Sequence, residues 1–299
     1  MWFSLSLFTI AAWGGSDLFS KKGTLPDDEN SHLKLVITVG TVMFIHACAY
    51  LLITGFRYNP VRIAEYFPVS AMYILSMVIG YAGLRYIKLS VSSPVCNSSG
   101  AVTALLCFAL LGQTLEVPQI VGVFLISLGI FLLSVFEKRE AGKERPGRVS
   151  GAESKRAIGA VAILFPLLYC VIDGAGSFMD ALFLDRFMDE AEANLSYEFT
   201  FAICAFFSRL YVKHKNRESF SYLKQKDFCA AAVCETAGQF SYIYAMGQNA
   251  VAAAPMIASY SIFSVVLSRV FLKERLTKAQ YGVIITVMTG IVILGVFDV

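Results

Sequence analysis

Ten long apolar runs, separated by short charged or Pro/Gly-containing breaks, limit this chain to very few folds. They cover 3–20, 33–55, 64–84, 90–111, 117–136, 157–178, 195–212, 227–247, 251–272 and 279–297. An α-helix needs about 20 mostly apolar residues to cross a bilayer. Inside hydrocarbon, every backbone N–H and C=O must be paired within a helix or a closed barrel. Barrel strands alternate apolar and polar residues, whereas these runs are continuous. The sequence therefore predicts an all-α integral membrane protein of about ten transmembrane helices. Ten such helices use roughly 200 of the 299 residues and leave the rest for ends and loops.

Composition narrows the function classes. Hydrophobic residues make up 57% of the chain and charged residues 16%, against about 45–50% and about 25% in soluble domains. Disorder, collagen and a secreted disulfide scaffold are excluded, and a soluble enzyme is disfavoured. A net charge of +3 offers no basic domain for nucleic acid. The seven cysteines lie in or beside apolar stretches without a CxxC pair, and they read as small packing residues. The three histidines, His32, His46 and His214, leave no zinc cluster or His-based triad. There is no P-loop and no HExxH, so neither a cofactor nor a metal is expected. The first run has no Lys or Arg before Leu7 and no clear cleavage site; it reads as a retained span, not a signal peptide.

Loop charge predicts orientation, because cytoplasmic loops collect Lys and Arg. The stretch 137–156 carries seven basic residues from Lys138 to Arg156, together with Pro146, Gly147 and Gly151. It reads as a charged cytoplasmic linker between two halves. Lys213 to Lys226 and Lys273 to Lys278 are also basic, whereas Asp180 to Asn194 holds only Arg186 among five acids. With ten spans, both termini face outside, and the expected location is the plasma (inner) membrane.

The halves resemble each other. An offset of 161 residues lays Tyr81 on Tyr242 and Pro94 on Pro255, and Leu111 to Leu115 on Leu272 to Leu276. Gln119 and Gln280 follow, then Gly122 and Gly282. Near the start of each half, Trp13 and Asp17 parallel Tyr169 and Asp173, at i and i+4 in both. Residues 1–136 and 157–299 thus form two repeats of five spans. An odd number forces the second to insert upside down, the architecture of many secondary transporters, which hold substrate near the midplane where the repeats meet.

Ala245 to Leu294, with Pro255, Phe271 to Thr277, Gln280, Gly282 and Gly290, resembles the end of a repeat of the EamA branch of the drug/metabolite transporter (DMT) superfamily. Ala12-Trp13-Gly14-Gly15 resembles its start. Gly100 and Ser261 stand where that family often has Pro, and Gln113 and Lys273 depart from its Gly-Glu pair. The resemblance covers nearly the whole chain. It implies two five-helix repeats and transport of a small metabolite or drug-like molecule, export more than import.

Ionisable residues inside a membrane are costly and mark functional positions by default. Glu235 lies about 12 Å along the span 227–247 at 1.5 Å per residue. Gln239 and Tyr242 follow on the same face. A carboxylate there could exchange a proton or meet a cationic substrate, so Glu235 is the coupling candidate. The competing reading is a hydrogen bond that glues helices together. Asp17 has Lys21 at i+4 and reads equally well as half of a membrane-edge ion pair; Asp173 has no such neighbour. Trp13 and Tyr169 stand one turn before these acids and could stack on a flat or cationic ligand, or simply anchor at the interface. Asn97 shares a face with Ser90 and Ser93, where the serines read better as packing residues. Tyr260 sits in the parallel group with Ser259 and Ser261, after a possible break at Pro255. Tyr81, matched to Tyr242, completes the candidate substrate-binding set. Gly14, Gly15, Gly80, Gly100, Gly122 and Gly129 read as tight helix contacts.

The expected function is a secondary active transporter working by alternating access. Carboxylates outnumber basic residues in the apolar core, which favours a cationic, zwitterionic or polar neutral cargo. The expected partners are that small molecule, the bilayer and a proton or counter-substrate, with a homodimer left open. The rivals are a membrane enzyme acting on lipid and a non-transporting scaffold. Neither requires a polar midplane cavity, so solvent access to Asn97 and Gln239 separates them from transport.

Overall fold

A computed structural model describes residues 1–25, 28–84, 93, 96–97, 99–112, 114–143, 152–214, 220–273 and 277–297, with the backbone alone for 133–134, 137–143, 152–163, 166–167 and 295. Several sequence features lie outside the described residues: Arg85 to Ser92, Pro94, Ser98, Gln113, Glu274 to Leu276, and Pro146, Gly147 and Gly151 of the linker. Among the described residues there is no strand. The helices are α1 Trp2–Gly23, α2 Ser31–Thr54, α3 Val61–Gly83, α4 Ser99–Leu110, α5 Val117–Lys143, α6 Ala152–Arg186, α7 Glu190–His214, α8 Lys226–Ala258, α9 Tyr260–Phe271 and α10 Lys278–Val296. Ser31–Thr54, Val61–Gly83 and the continuous run Lys226–Phe271 are long and apolar enough to cross a membrane; Ser99–Leu110, Val117–Leu132 and Lys278–Leu294 are shorter apolar helices.

The distribution of side chains suits a bilayer. Phe44, Leu52, Phe108, Phe124, Val270 and Ile285 are among many large apolar residues on the surface, while Asp180, Glu198, Asn194, Asn97, Gln239 and several serines are buried. Water would penalise such extensive apolar patches, and lipid does not.

Every principal helix pair joins the two sides of the linker. α1 packs on α8, α3 on α6, α2 on α7 and α5 on α10, and α4 lies against both α6 and α8. Glycines permit the closest approaches. A Cβ on Gly238 would strike the Trp13 indole, and one on Gly80 would sit 2.9 Å from the Tyr169 ring. The two matched aromatic residues thus each rest on a glycine from the other side. Gly122 and Gly290 bring α5 and α10 together, whereas Gly282, paired with Gly122 in the sequence comparison, faces open space.

The matched glutamines have a physical role in common. Thr277 N–H donates to Gln280 Oε1 (2.5 Å), and Thr277 Oγ1 accepts from Gln280 N–H, a capping box that starts α10. Glu116 N–H donates to Gln119 Oε1 (3.0 Å) where α5 starts. Thr277→Ala should therefore lower unfolding free energy by about 1 kcal/mol, read by denaturant titration in micelles. An unchanged midpoint would show that the cap contributes nothing.

Three sequence expectations are modified. The acidic stretch 180–194 is mostly helix, because α6 runs to Arg186 and α7 begins at Glu190. α5 reaches Lys143 and α6 starts at Ala152, so the described part of 137–156 is helical. The break at 248–250 is a kink within α8 at Asn249 (φ −160°, ψ 78°), whose side chain accepts from Ala252 N–H at 3.2 Å and starts the next helical segment. The ninth run breaks again at Ser259, four residues after Pro255. The N–H that Pro255 lacks would have bonded the Val251 carbonyl, so the proline loosens the helix before itself and does not account for the break at Ser259. In the first half the chain turns at Asn97, just before α4.

Candidate functional site

The two turns, at Asn97 and Ser259, flank a central cavity of about 100 Å³. Broken helices occur at membrane depth where they are buried in protein or line a cavity. α1 brings Trp13, Ser16 and Asp17; α3 brings Tyr73, Met77 and Tyr81. α6 contributes Tyr169, Asp173 and Ser177, and α8 contributes Glu235, Gln239 and Tyr242. Asn97 and Tyr260 lie beside the turns. All ten candidates singled out in the sequence therefore border one space. Ser259 and Ser261 instead donate to the carbonyls of Met256 (2.5 Å) and Ala258 (3.1 Å) in their own turn.

Three carboxylates line the cavity, each held by serine hydroxyls. Asp17 Oδ2 accepts from Ser93 and from Ser264, both at 2.7 Å. Asp173 accepts from Ser99 (2.8 Å) and Ser76 (3.4 Å). Glu235 Oε2 accepts from Ser16 at 2.8 Å. Lys21 Nζ donates to the Leu84 carbonyl at 2.6 Å, so the i+4 spacing does not determine what Asp17 binds. Among the described residues, the lining contains no Lys, Arg or His. The Trp13 ring lies 5.1 Å from Tyr242 and 5.6 Å from Tyr260, and its indole N–H donates to the Glu235 carbonyl (3.4 Å).

A carboxylate absent from the candidate set is tied to the lining through Tyr73 and Tyr242. Asp180 is fully buried, two helical turns beyond Asp173. Tyr66 donates to its Oδ1, Tyr73 donates to Oδ2 at 3.3 Å, and the Tyr73 and Tyr242 hydroxyls meet at 2.5 Å. This network lies between the cavity and the connections at 55–60 and 187–189. Its sequence signal was Asp173, Ser177 and Asp180 at i, i+4 and i+7, one helix face. A second buried acid, Glu198 on α7, binds His46 Nδ1 on α2 (2.8 and 3.0 Å) and accepts from Asn194 (3.1 Å). A histidine does join an acid in the core, away from the cavity, as an interhelical clasp. Among the described residues, no group of three or more His, Cys, Asp or Glu side chains is arranged to hold a metal ion.

A solved structure titled "Crystal structure of protein" superimposes on 98% of this chain and 95% of its own, with a TM-score of 0.68 at 14% identity. That likeness concerns the fold. No curated protein sequence matches the chain. Residues 1–135 match the family model described as the EamA-like transporter family. Residues 193–299 match the one described as the Triose-phosphate Transporter family. Both families are transporters, and both lie within one superfamily. With both ends of the chain matched, it belongs to the drug/metabolite transporter superfamily, a multi-pass membrane protein of the transporter type.

Proposed function

We propose that this chain is a secondary active transporter that moves a small polar metabolite or drug-like molecule by alternating access, in the direction of export. One observation carries the reading: a polar cavity sits inside an apolar-surfaced helical bundle, beside the turns at Asn97 and Ser259, with walls from both sides of the linker. Residues 1–136 and 157–299 act as inverted five-helix repeats, ten spans in all, joined by a cytoplasmic linker at 137–156. The termini lie outside the plasma (inner) membrane. Trp13, Asp17, Tyr81, Asn97, Tyr169, Asp173, Gln239, Tyr242 and Tyr260 contact cargo. Glu235 couples transport to a proton or counter-substrate. Among the described residues the lining offers carboxylates, whereas a phosphate calls for Arg or Lys donors, which favours a cargo other than the one named in one family description.

The test places Asn97→Cys in a cysteine-free chain and reacts it with a membrane-impermeant maleimide in right-side-out and inside-out vesicles. Labelling from both sides is expected. Glu235→Gln, which resembles the protonated acid and cannot release a proton, should bias labelling to one side. Labelling from a single side under every condition would overturn alternating access.

A further inference from the structure

The cavity presents two unlike sets of groups, and together they specify a ligand. The first set is anionic and aromatic. Asp17, Asp173 and Glu235 have serine hydroxyl partners, and the rings of Trp13, Tyr242 and Tyr260 cluster beside Glu235. Carboxylates and ring faces both favour an ammonium group. The second set is donor-rich. Gln239 and Tyr81 line the same cavity, 4% and 8% exposed, yet neither the Gln239 carboxamide nitrogen nor the Tyr81 hydroxyl has a hydrogen-bond partner among the described residues. A buried donor without an acceptor is costly, and a ligand oxygen would satisfy it.

We propose that the cavity binds a small organic ammonium carrying one uncharged oxygen acceptor, as in an amino alcohol. This rests on the transport reading of the same cavity and gives its cargo a chemical class. A ligand carboxylate or phosphate could also accept from Gln239 and Tyr81. It would do so beside three carboxylates in a low-dielectric site, where like charges repel strongly. Size adds a limit: a cavity of about 100 Å³ is smaller than the roughly 150 Å³ cavity that takes benzene, so the recognised group has only a few heavy atoms.

Trp13 supplies the readout, because the only other tryptophan is Trp2. Full-length Trp2→Phe protein in lipid nanodiscs is titrated with ethanolamine, propylamine, glycine and inorganic phosphate while Trp13 emission is followed. Ethanolamine and propylamine have the same shape, and only the former has an oxygen. Ethanolamine should saturate, propylamine should need at least about tenfold more, and glycine and phosphate should leave emission unchanged. Gln239→Leu should shrink the ethanolamine preference towards unity. Saturation by glycine or phosphate, equal affinity for the two amines, or silence from both amines would overturn the proposal. Failure of the transport reading is separable: ethanolamine would then saturate while the Asn97→Cys chain labels from one side only.

Discussion

Gly100→Val is expected to destabilise the fold by at least about 3 kcal/mol and to cut the yield of monodisperse protein sharply. Gly100 is the contact point between α4 and the kinked end of α8. A Cβ there would lie 2.6 Å from Ala258 Cβ, 2.9 Å from the Ala254 carbonyl oxygen and 3.2 Å from Pro255 Cα. Two of those neighbours are backbone atoms, and the third is a Cβ with no rotamer to change. Overpacking in a core costs roughly 1–3 kcal/mol when side chains can move. Here the helices themselves must separate, so at least about 3 kcal/mol is expected, a large share of a marginal stability. Separation would also pull Asn97 from Tyr260 across the cavity. Gly282→Ala, where nothing lies within 4 Å, is the control and should be neutral or stabilise by up to about 1 kcal/mol. Monodisperse yield on size exclusion and thermal unfolding in micelles would check both. A Gly100→Val protein that melts with the wild type would mean that α4 and α8 do not cross so closely.

The same crossing shows what is legible in sequence. Polar residues within apolar runs stand out in any single stretch, which is why Glu235, Gln239, Tyr242, Asp17 and Asp173 are identifiable and why they converge on one cavity. What each of them binds is not. Lys21 at i+4 suggests an ion pair for Asp17, but two serines, 76 and 247 positions away, occupy its Oδ2. Charge also misleads. Asp180 reads as loop because five acids cluster at 180–194. Glu198 makes its span look weak. Both lie buried in helices because phenols or an imidazole from another helix compensate them, at separations of 114 and 152 positions. Pro255 marks a region where the helix is weakened but does not place the break at Ser259, because the hydrogen bond it removes is to the Val251 carbonyl, on the other side of the proline.

Asp180→Ala should destabilise the protein by about 3 kcal/mol, and adding Tyr66→Phe should cost little more. Two opposing effects set the size. Removing the carboxylate relieves the cost of burying a charge, which can be several kcal/mol. It also strands the phenols that donate to it, at roughly 1–3 kcal/mol for each one left unpaired. Tyr73 retains Tyr242 at 2.5 Å, so Tyr66 is the donor left without an acceptor. A void where the side chain stood adds to the loss. Tyr66→Phe alone removes one donor from the carboxylate and should cost about 2 kcal/mol, within the range for hydrogen bonds to charged groups. In the double variant no donor is stranded, so the combined loss should fall short of the sum of the two by about 2 kcal/mol, the coupling of contacting residues. Denaturant unfolding of the four proteins in mixed micelles gives that coupling directly, and simple additivity would show that Asp180 and Tyr66 do not hold each other. The pair ties α6 to α3 across the linker, at the end of the cavity facing the connections at 55–60 and 187–189. A transporter must break such a contact to expose its site there. If it does, either single variant carrying Asn97→Cys will label faster from that side.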